Sequence, residues 1–252
     1  MIDLHTHILP GIDDGAEDEE VSAKLLDALV SQGVSKIVFI TSHYYGRKRS
    51  PRQYLEARAA AFAQIKNLIP ADVEIFLGAE VHFTKQMAAA NDSLCSLAIG
   101  DTRYILLELP FNAPWDRGLW NRLGDFISDT DYIPVIAHVE RYKEVWKKPV
   151  LLSVLKDMGC LLQVNTGAFL DGDSKKLALA LLGHHLVDCL GTDAHNLDTR
   201  APDYAAAKRA IEEAGFGENF AGIQENMRLV LENKPVPREK TKPVKKFLGR
   251  YY

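Results

Sequence analysis

Two histidines one residue apart, His5 and His7, close the first apolar run of the chain, MIDLHTHILPGIDDGA, and Asp13 and Asp14 follow six and seven residues after His7. A β-strand turns alternate side chains to opposite faces, so both imidazoles share one side while Thr6 takes the other. Two imidazoles on one side can share one ion. Groups of the same chemistry recur near the ends of later apolar runs: His43 in KIVFITSH, Glu80 in VEIFLGAEV, Glu108 in YILLELP, His138 in IPVIAHVE, and Asp193 with His195 in LVDCLGTDAH. A carboxylate ending an apolar strand is costly to bury without a cation. Eight such ligands on six strand ends, with an aspartate from the first loop, point to a site for more than one metal ion. Imidazole and carboxylate without thiolate suit Mn2+, Fe or Zn.

The elements that must position these residues can be read from the same runs. Those five segments, with MIDLHTH at the start and LLQVNTG before the last, make seven strands, of which only the sixth, ending in Asn165, lacks a metal-binding residue. The segments between them have helical spacing. DEEVSAKLLDALVSQG places Val21, Leu25 and Leu29 on one face and stops at Gly33; Ser50 and Pro51 read as the cap and first turn of a helix with Leu55, Phe62 and Ile65 or Leu68 inward; PVLLSVLKDMG stops at Gly159. Alternation of strand and helix predicts a parallel sheet covered by helices. An open sheet would spread the polar strand ends along an edge, whereas a (β/α) barrel converges them on one mouth. The expectation is therefore an α/β, TIM-like barrel with seven strands. No glycine-rich phosphate loop or dinucleotide fingerprint competes with it.

At 252 residues, with 47% hydrophobic and 25% charged residues, the chain can bury one substantial core. No apolar stretch is long enough to cross a bilayer and no secretory pattern opens the chain, so a cytoplasmic location is expected. A net charge of -4 argues against a general nucleic-acid binder. The charge is uneven: from Asn233 onward seven Lys/Arg face one acid, a tail of +6 on a remainder of -10. This divides the chain into a barrel over 1–232 and a basic, flexible tail over 233–252, rich in Pro and Lys. Cys95, Cys160 and Cys189 match no zinc ribbon or disulfide framework. Nor are they phosphatase nucleophiles, since an Arg is wanted six residues after such a Cys and those positions hold Asp101, Thr166 and His195. They read as core residues.

The HxH at the N-terminus, TSHYYG, GAEVHF, LLELP, PVIAHVERY, QVNTG and GTDAHN, in this order, resemble the polymerase and histidinol phosphatase (PHP) superfamily, and within it the bacterial manganese-dependent protein-tyrosine phosphatases of capsule and exopolysaccharide operons. The similarity runs from Met1 to about Asn233. It implies a distorted (β/α)7 barrel with up to three ions. By resemblance, one metal takes His5, His7, Glu80 and Asp193, a second Glu80, Glu108 and His138, and a third Asp14, His43 and His195, with Asp13 the alternative to Asp14. Arg141 and Arg200 match arginines of the family and are expected to clamp phosphate through the guanidinium fork. Clustered cations acidify water and neutralise phosphoryl oxygens during in-line attack, so no protein nucleophile is required.

The function so implied is hydrolysis of phosphotyrosine on a partner protein, a bacterial tyrosine kinase that controls capsule or exopolysaccharide synthesis. Two other readings stay open: a histidinol-phosphate or other small phosphomonoester phosphatase, and a module that binds phosphotyrosine without hydrolysing it. Around the mouth, Arg47, Lys48, Arg49 and Arg52 follow His43, and Phe111 and Trp115 either wall the substrate ring or pack their loop onto the barrel. His82 is read as lying past the mouth, His184 and His185 as solvated, and Asp3 as orienting a neighbour. The basic tail could hold the protein near anionic lipid or an acidic kinase tail.

Overall fold

The structure, a computed structural model, describes the chain except for residues 45–49, 85–95, 112, 171, 239–240, 248–249 and 252, and for residues 40–44, 247 and 250 it describes the backbone alone. Arg47, Lys48, Arg49, Cys95 and the side chain of His43 therefore lie outside the described residues.

Local sequence accounts for the elements. β1 (Ile2–Thr6) and β4 (Tyr104–Glu108) are buried at every position, as strands covered on both faces must be. α1 (Glu19–Ser31) starts at Asp18, whose carboxylate accepts from the Val21 N–H at 2.9 Å, and its first turn carries Glu19 and Glu20 against the positive end of the helix. It buries Leu25, Leu26 and Leu29, whereas Val21 stays half-buried at its rim. The chain leaves through Gly33 at φ 85°, a left-handed value that glycine adopts without strain. After β2 (Lys36–Tyr44), α2 (Pro51–Ile65) opens with a capping box between Ser50 and Gln53 and with Pro51 in its first turn.

β3 (Glu74–His82) precedes β4, and α3 (Arg117–Asp129) leads to β5 (Ile133–Ile136). Two short helices, α4 (Lys143–Lys147) and α5 (Leu151–Asp157), come before β6 (Leu161–Asn165); α6 (Gly172–Gly183) precedes β7 (Cys189–Gly191), and α7 (Tyr204–Glu213) and α8 (Gly217–Leu231) follow it.

The seven strands lie side by side in chain order, every neighbouring pair parallel. β1 and the segment after β7 bring the two edges together: Thr6 bridges Ala194, His7 N–H donates to the Ala194 carbonyl at 2.9 Å, and Asp193 N–H donates to the His5 carbonyl at 2.7 Å. The approach requires a glycine, because a Cβ on Gly191 would stand 2.4 Å from the His5 Cβ. The result is the expected distorted (β/α)7 barrel, nearly closed, with Leu4, Val38, Ile105 and Leu162 among its wholly buried core.

The described part of the basic C-terminal segment runs along the barrel. Tyr104 Oη donates to the Lys234 carbonyl at 2.6 Å, Val244 is buried, and a two-stranded antiparallel ladder, β8 (Lys246–Phe247) with β9 (Arg250–Tyr251), ends the chain. No described helix is long and apolar enough to cross a membrane.

Candidate metal centre

The barrel mouth gathers the polar strand ends. His5 sits on β1 and His7 one residue beyond it, Glu80 lies near the end of β3, Glu108 ends β4, His138 follows β5 by two residues, and Asp193 and His195 follow β7. All seven are buried. His138 and Asp193 hold left-handed backbone, at φ 33° and 54°, a region that non-glycine residues occupy only when their surroundings fix it.

The protonation of the first two imidazoles follows from a chain of hydrogen bonds. The backbone N–H of His138 can only donate, and it donates to Gln163 Oε1 at 2.7 Å, which fixes that amide's orientation. Gln163 Nε2 then donates to Asn165 Oδ1, and Asn165 Nδ2 to Asp193 Oδ2, both at 2.9 Å. His5 Nδ1, 3.2 Å from the same Gln163 oxygen, must therefore carry a hydrogen, as must His7 Nδ1, 2.8 Å from Asp13 Oδ2. In the neutral rings both Nε2 atoms are bare lone pairs, yet they face one another at 3.0 Å. Glu80 Oε2 and Asp193 Oδ1 stand 3.5–3.6 Å from each of them. Four lone-pair donors converging in a buried space fit a cation between them.

Of the nine residues read as ligands, the eight with described side chains fall into three groups, within each of which the candidate ligand atoms lie within 4.8 Å of one another: His5, His7 and Asp193; His7, Asp14 and His195; and Glu80, Glu108 and His138. Glu80 spans two of them, its Oε1 being 2.7 Å from His138 Nε2 while Oε2 faces His5 and His7. Asp14 Oδ1 approaches His195 Nε2 at 3.5 Å, and Asp13 instead turns to His7. Among the described residues His195 Nε2 is buried with no hydrogen-bond partner, Asp14 at 3.5 Å being the carboxylate it faces, and such a nitrogen is available to a metal.

The electrostatics agree. Burial lowers the pKa of His7, but Asp13, Glu80 and Asp193 more than reverse this and hold it well above the ordinary value, so without an ion the ring binds a proton on the side where a cation would displace it. Burial likewise opposes ionisation of Glu80 and Asp193, and the surrounding imidazoles outweigh it, so both carboxyls lie below the usual range. His195 is lowered, mainly by burial, toward the neutral form that ligates metals. These are groups that recruit positive charge.

Arg141 and Arg200 meet on the other oxygen of Asp193: Arg141 Nη1 at 2.8 Å and Arg200 Nη2 at 2.6 Å from Oδ2. Both also line a cavity of about 520 Å3 with Asp193, Trp146 and Asp203. Phe111 and Trp115 do not line it. Phe111 stacks on His138 with ring centres 5.3 Å apart, and Trp115 packs on Trp120 and Tyr142. Burial pushes the Cys160 thiol up to about 12 and the Cys189 thiol well above its ordinary range, so neither supplies a thiolate.

Four residues near the ligands had no part in the sequence-read ligand set. Gln163 and Asn165 share one face of β6, the strand without a ligand; their i, i+2 spacing in LLQVN puts them on the same side but does not by itself mark them as functional. His82 Nδ1 lies 3.0 Å from Glu108 Oε2, at the mouth and not past it. Asp3 accepts from His5 N–H and from Thr192, which bears out its reading as an orienting residue.

A parallel seven-stranded barrel with imidazoles and carboxylates converging at its mouth is the arrangement that the resemblance to PHP-type enzymes implies. The chain belongs to the capsular polysaccharide synthesis CpsB/CapC family, whose model matches residues 1–232. It is 32% identical over 252 residues to the tyrosine-protein phosphatase YwqE of Bacillus subtilis, spanning 98% of this chain and 97% of that protein. It is 30% identical over 210 residues to the tyrosine-protein phosphatase CpsB of Streptococcus pneumoniae, spanning 80% and 86% respectively. A crystal structure from work on YwqE and CpsB, described there as metal-dependent tyrosine phosphatases, superposes with a TM-score of 0.85 at 31% identity, covering 98% of this chain and all of that one.

Proposed function

We propose that this protein is a metal-dependent protein-tyrosine phosphatase that hydrolyses phosphotyrosine on a partner protein, a bacterial tyrosine kinase with tyrosines in its C-terminal tail. The observation that carries this reading is the convergence of the His5 and His7 Nε2 lone pairs with Glu80 and Asp193 beside two arginines. His5, His7, Glu80 and Asp193 would hold one ion, Glu80, Glu108 and His138 a second, and Asp14, His195 and His43 a third. Manganese is the proposed occupant, with iron and zinc the competitors that elemental analysis separates. Bound divalent cations supply acidified water and neutralise charge on a phosphoryl group.

The rest falls to the chain. Arg141 and Arg200 reach the phosphoryl oxygens from the cavity side and orient the ester group, and Asp193 holds the two guanidiniums together until substrate arrives. Asp13 and Gln163 keep the imidazoles in the tautomer that leaves Nε2 free. Buried walls restrict bulk water, which strengthens each of these contacts.

The test is phosphate release from a phosphotyrosine peptide by Mn-loaded protein, run beside histidinol phosphate. Faster turnover of the peptide supports the assignment. A preference for histidinol phosphate, or retention of the peptide unchanged, would move it to one of the other two readings.

A further inference from the structure

The cavity of about 520 Å3 beside Arg141, Arg200 and Asp193 has one aromatic residue among its described lining, Trp146. A phosphoryl group clamped by the two arginines must project its ester substituent out of the metal groups, and this cavity is where both arginines face open space. Its volume exceeds that of a phenyl ring severalfold. Of the two aromatic residues that the sequence offers as a wall, Trp115 packs on Trp120 and Tyr142, and Phe111 lies under the Arg141 guanidinium, 5.3 Å from its ring centre, and against His138, outside the cavity lining.

Trp146 is held in place from two sides. Its indole N–H donates to the Glu140 carbonyl at 2.6 Å, within the same turn that carries Arg141. From the C-terminal ladder, Lys246 Nζ stands 5.5 Å over the indole and donates to the Trp146 carbonyl at 3.4 Å, while the Tyr251 ring lies 5.2 Å from the same ammonium. A half-buried indole anchored by two separate segments offers a fixed apolar surface at a site otherwise lined by charges and small residues.

We propose that Trp146 is the specificity-determining residue of this site, packing against the aryl group of the substrate ester so that aryl phosphates are selected over alkyl phosphates. This rests on the phosphatase reading for its biological meaning, but not for its test. An aromatic pair in offset or edge-to-face contact is worth about threefold to tenfold in affinity beyond simple burial, and an alkyl ester gains no such pairing.

The experiment measures the Kd of Mn-loaded full-length protein for phenylphosphonate and for methylphosphonate, neither of which can be hydrolysed at its P–C bond. Wild type should prefer the phenyl compound. Trp146→Ala should weaken phenylphosphonate by about threefold to tenfold and leave methylphosphonate unchanged, with Trp146→Phe restoring most of the loss. Equal affinity of wild type for the two probes, no binding of the phenyl probe, or parallel weakening of both in Trp146→Ala would overturn the assignment. Failure to release phosphate from a phosphotyrosine peptide would instead strike the phosphatase reading and leave the aryl preference standing.

Discussion

Asp13 Oδ2 and His7 Nδ1 lie 2.8 Å apart, and this contact decides what the other side of the imidazole can do. In the neutral ring, with its one hydrogen committed to Asp13, His7 turns a bare Nε2 toward His5, Glu80 and Asp193. Asp13 is itself braced by the Gly15 N–H on its other oxygen at 2.8 Å. Asp13→Ala is therefore expected to weaken metal binding by about tenfold to a hundredfold, as loss of a carboxylate behind a metal-bound imidazole does elsewhere. Metal retained after dialysis against a graded chelator reads the effect directly, and unchanged retention would show that Asp13 does not set the ring.

Gln163 stands behind two histidines at once. Gln163→Leu keeps the volume but leaves the His138 N–H and His5 Nδ1 without their acceptor, at about 1–3 kcal/mol for each buried group left unpaired. Denaturant unfolding of the metal-free protein should show a loss of about 2–6 kcal/mol for the two groups together. A loss well below 1 kcal/mol would mean that water or another oxygen replaces the amide.

Arg141→Ala or Arg200→Ala should lower kcat/KM for a phosphotyrosine peptide by about tenfold to a hundredfold, the worth of a hydrogen bond to a charged group, while metal content stays at the wild-type level. Steady-state kinetics paired with elemental analysis separates this from damage to the metal groups. Equal loss of metal and activity would identify the arginines as supports for Asp193 and not as a clamp.

Asp203, beside the cavity, gives a pH signature away from the ligands. Burial raises its carboxyl pKa against the opposing hydrogen bond from the Thr166 hydroxyl. The native state thus binds this proton more tightly than the unfolded chain does. Its stabilising contribution is complete below the ordinary aspartate value of about 3.9 and is lost as pH rises through the higher native value. Asp203→Asn keeps an acceptor for Thr166 and cannot ionise. Over the span from about pH 4 to neutrality, the variant should lose less thermal stability than wild type. Parallel curves would contradict the assignment.

Residue type and strand position marked the candidate ligands that the mouth brings together, because a histidine or glutamate ending an apolar run is chemically conspicuous. The seven-strand alternation was visible for the same reason, in the runs themselves. Gln163 was not, since an amide in LLQVN looks ordinary until His5, 158 residues away, closes on it. The choice between Asp13 and Asp14 also waits on three dimensions, because both follow the first strand and only the turn through Gly15 directs one to His7 and the other to His195. The last strand is shorter than its apolar run suggests. It stops at Gly191 because the chain bends into left-handed backbone at Asp193, which is what aims that carboxylate at the mouth.

The central claim is that His5 and His7 are the first clasp of a hydrolytic metal cluster. Elemental analysis of the purified protein, paired with phosphate release from a phosphotyrosine peptide, tests it on wild type and the His5→Ala/His7→Ala double variant. Wild type should hold about two to three equivalents of metal, with metal and turnover both falling in the variant. Full activity in a variant stripped of its metal, or undiminished metal and turnover without the two imidazoles, would contradict it.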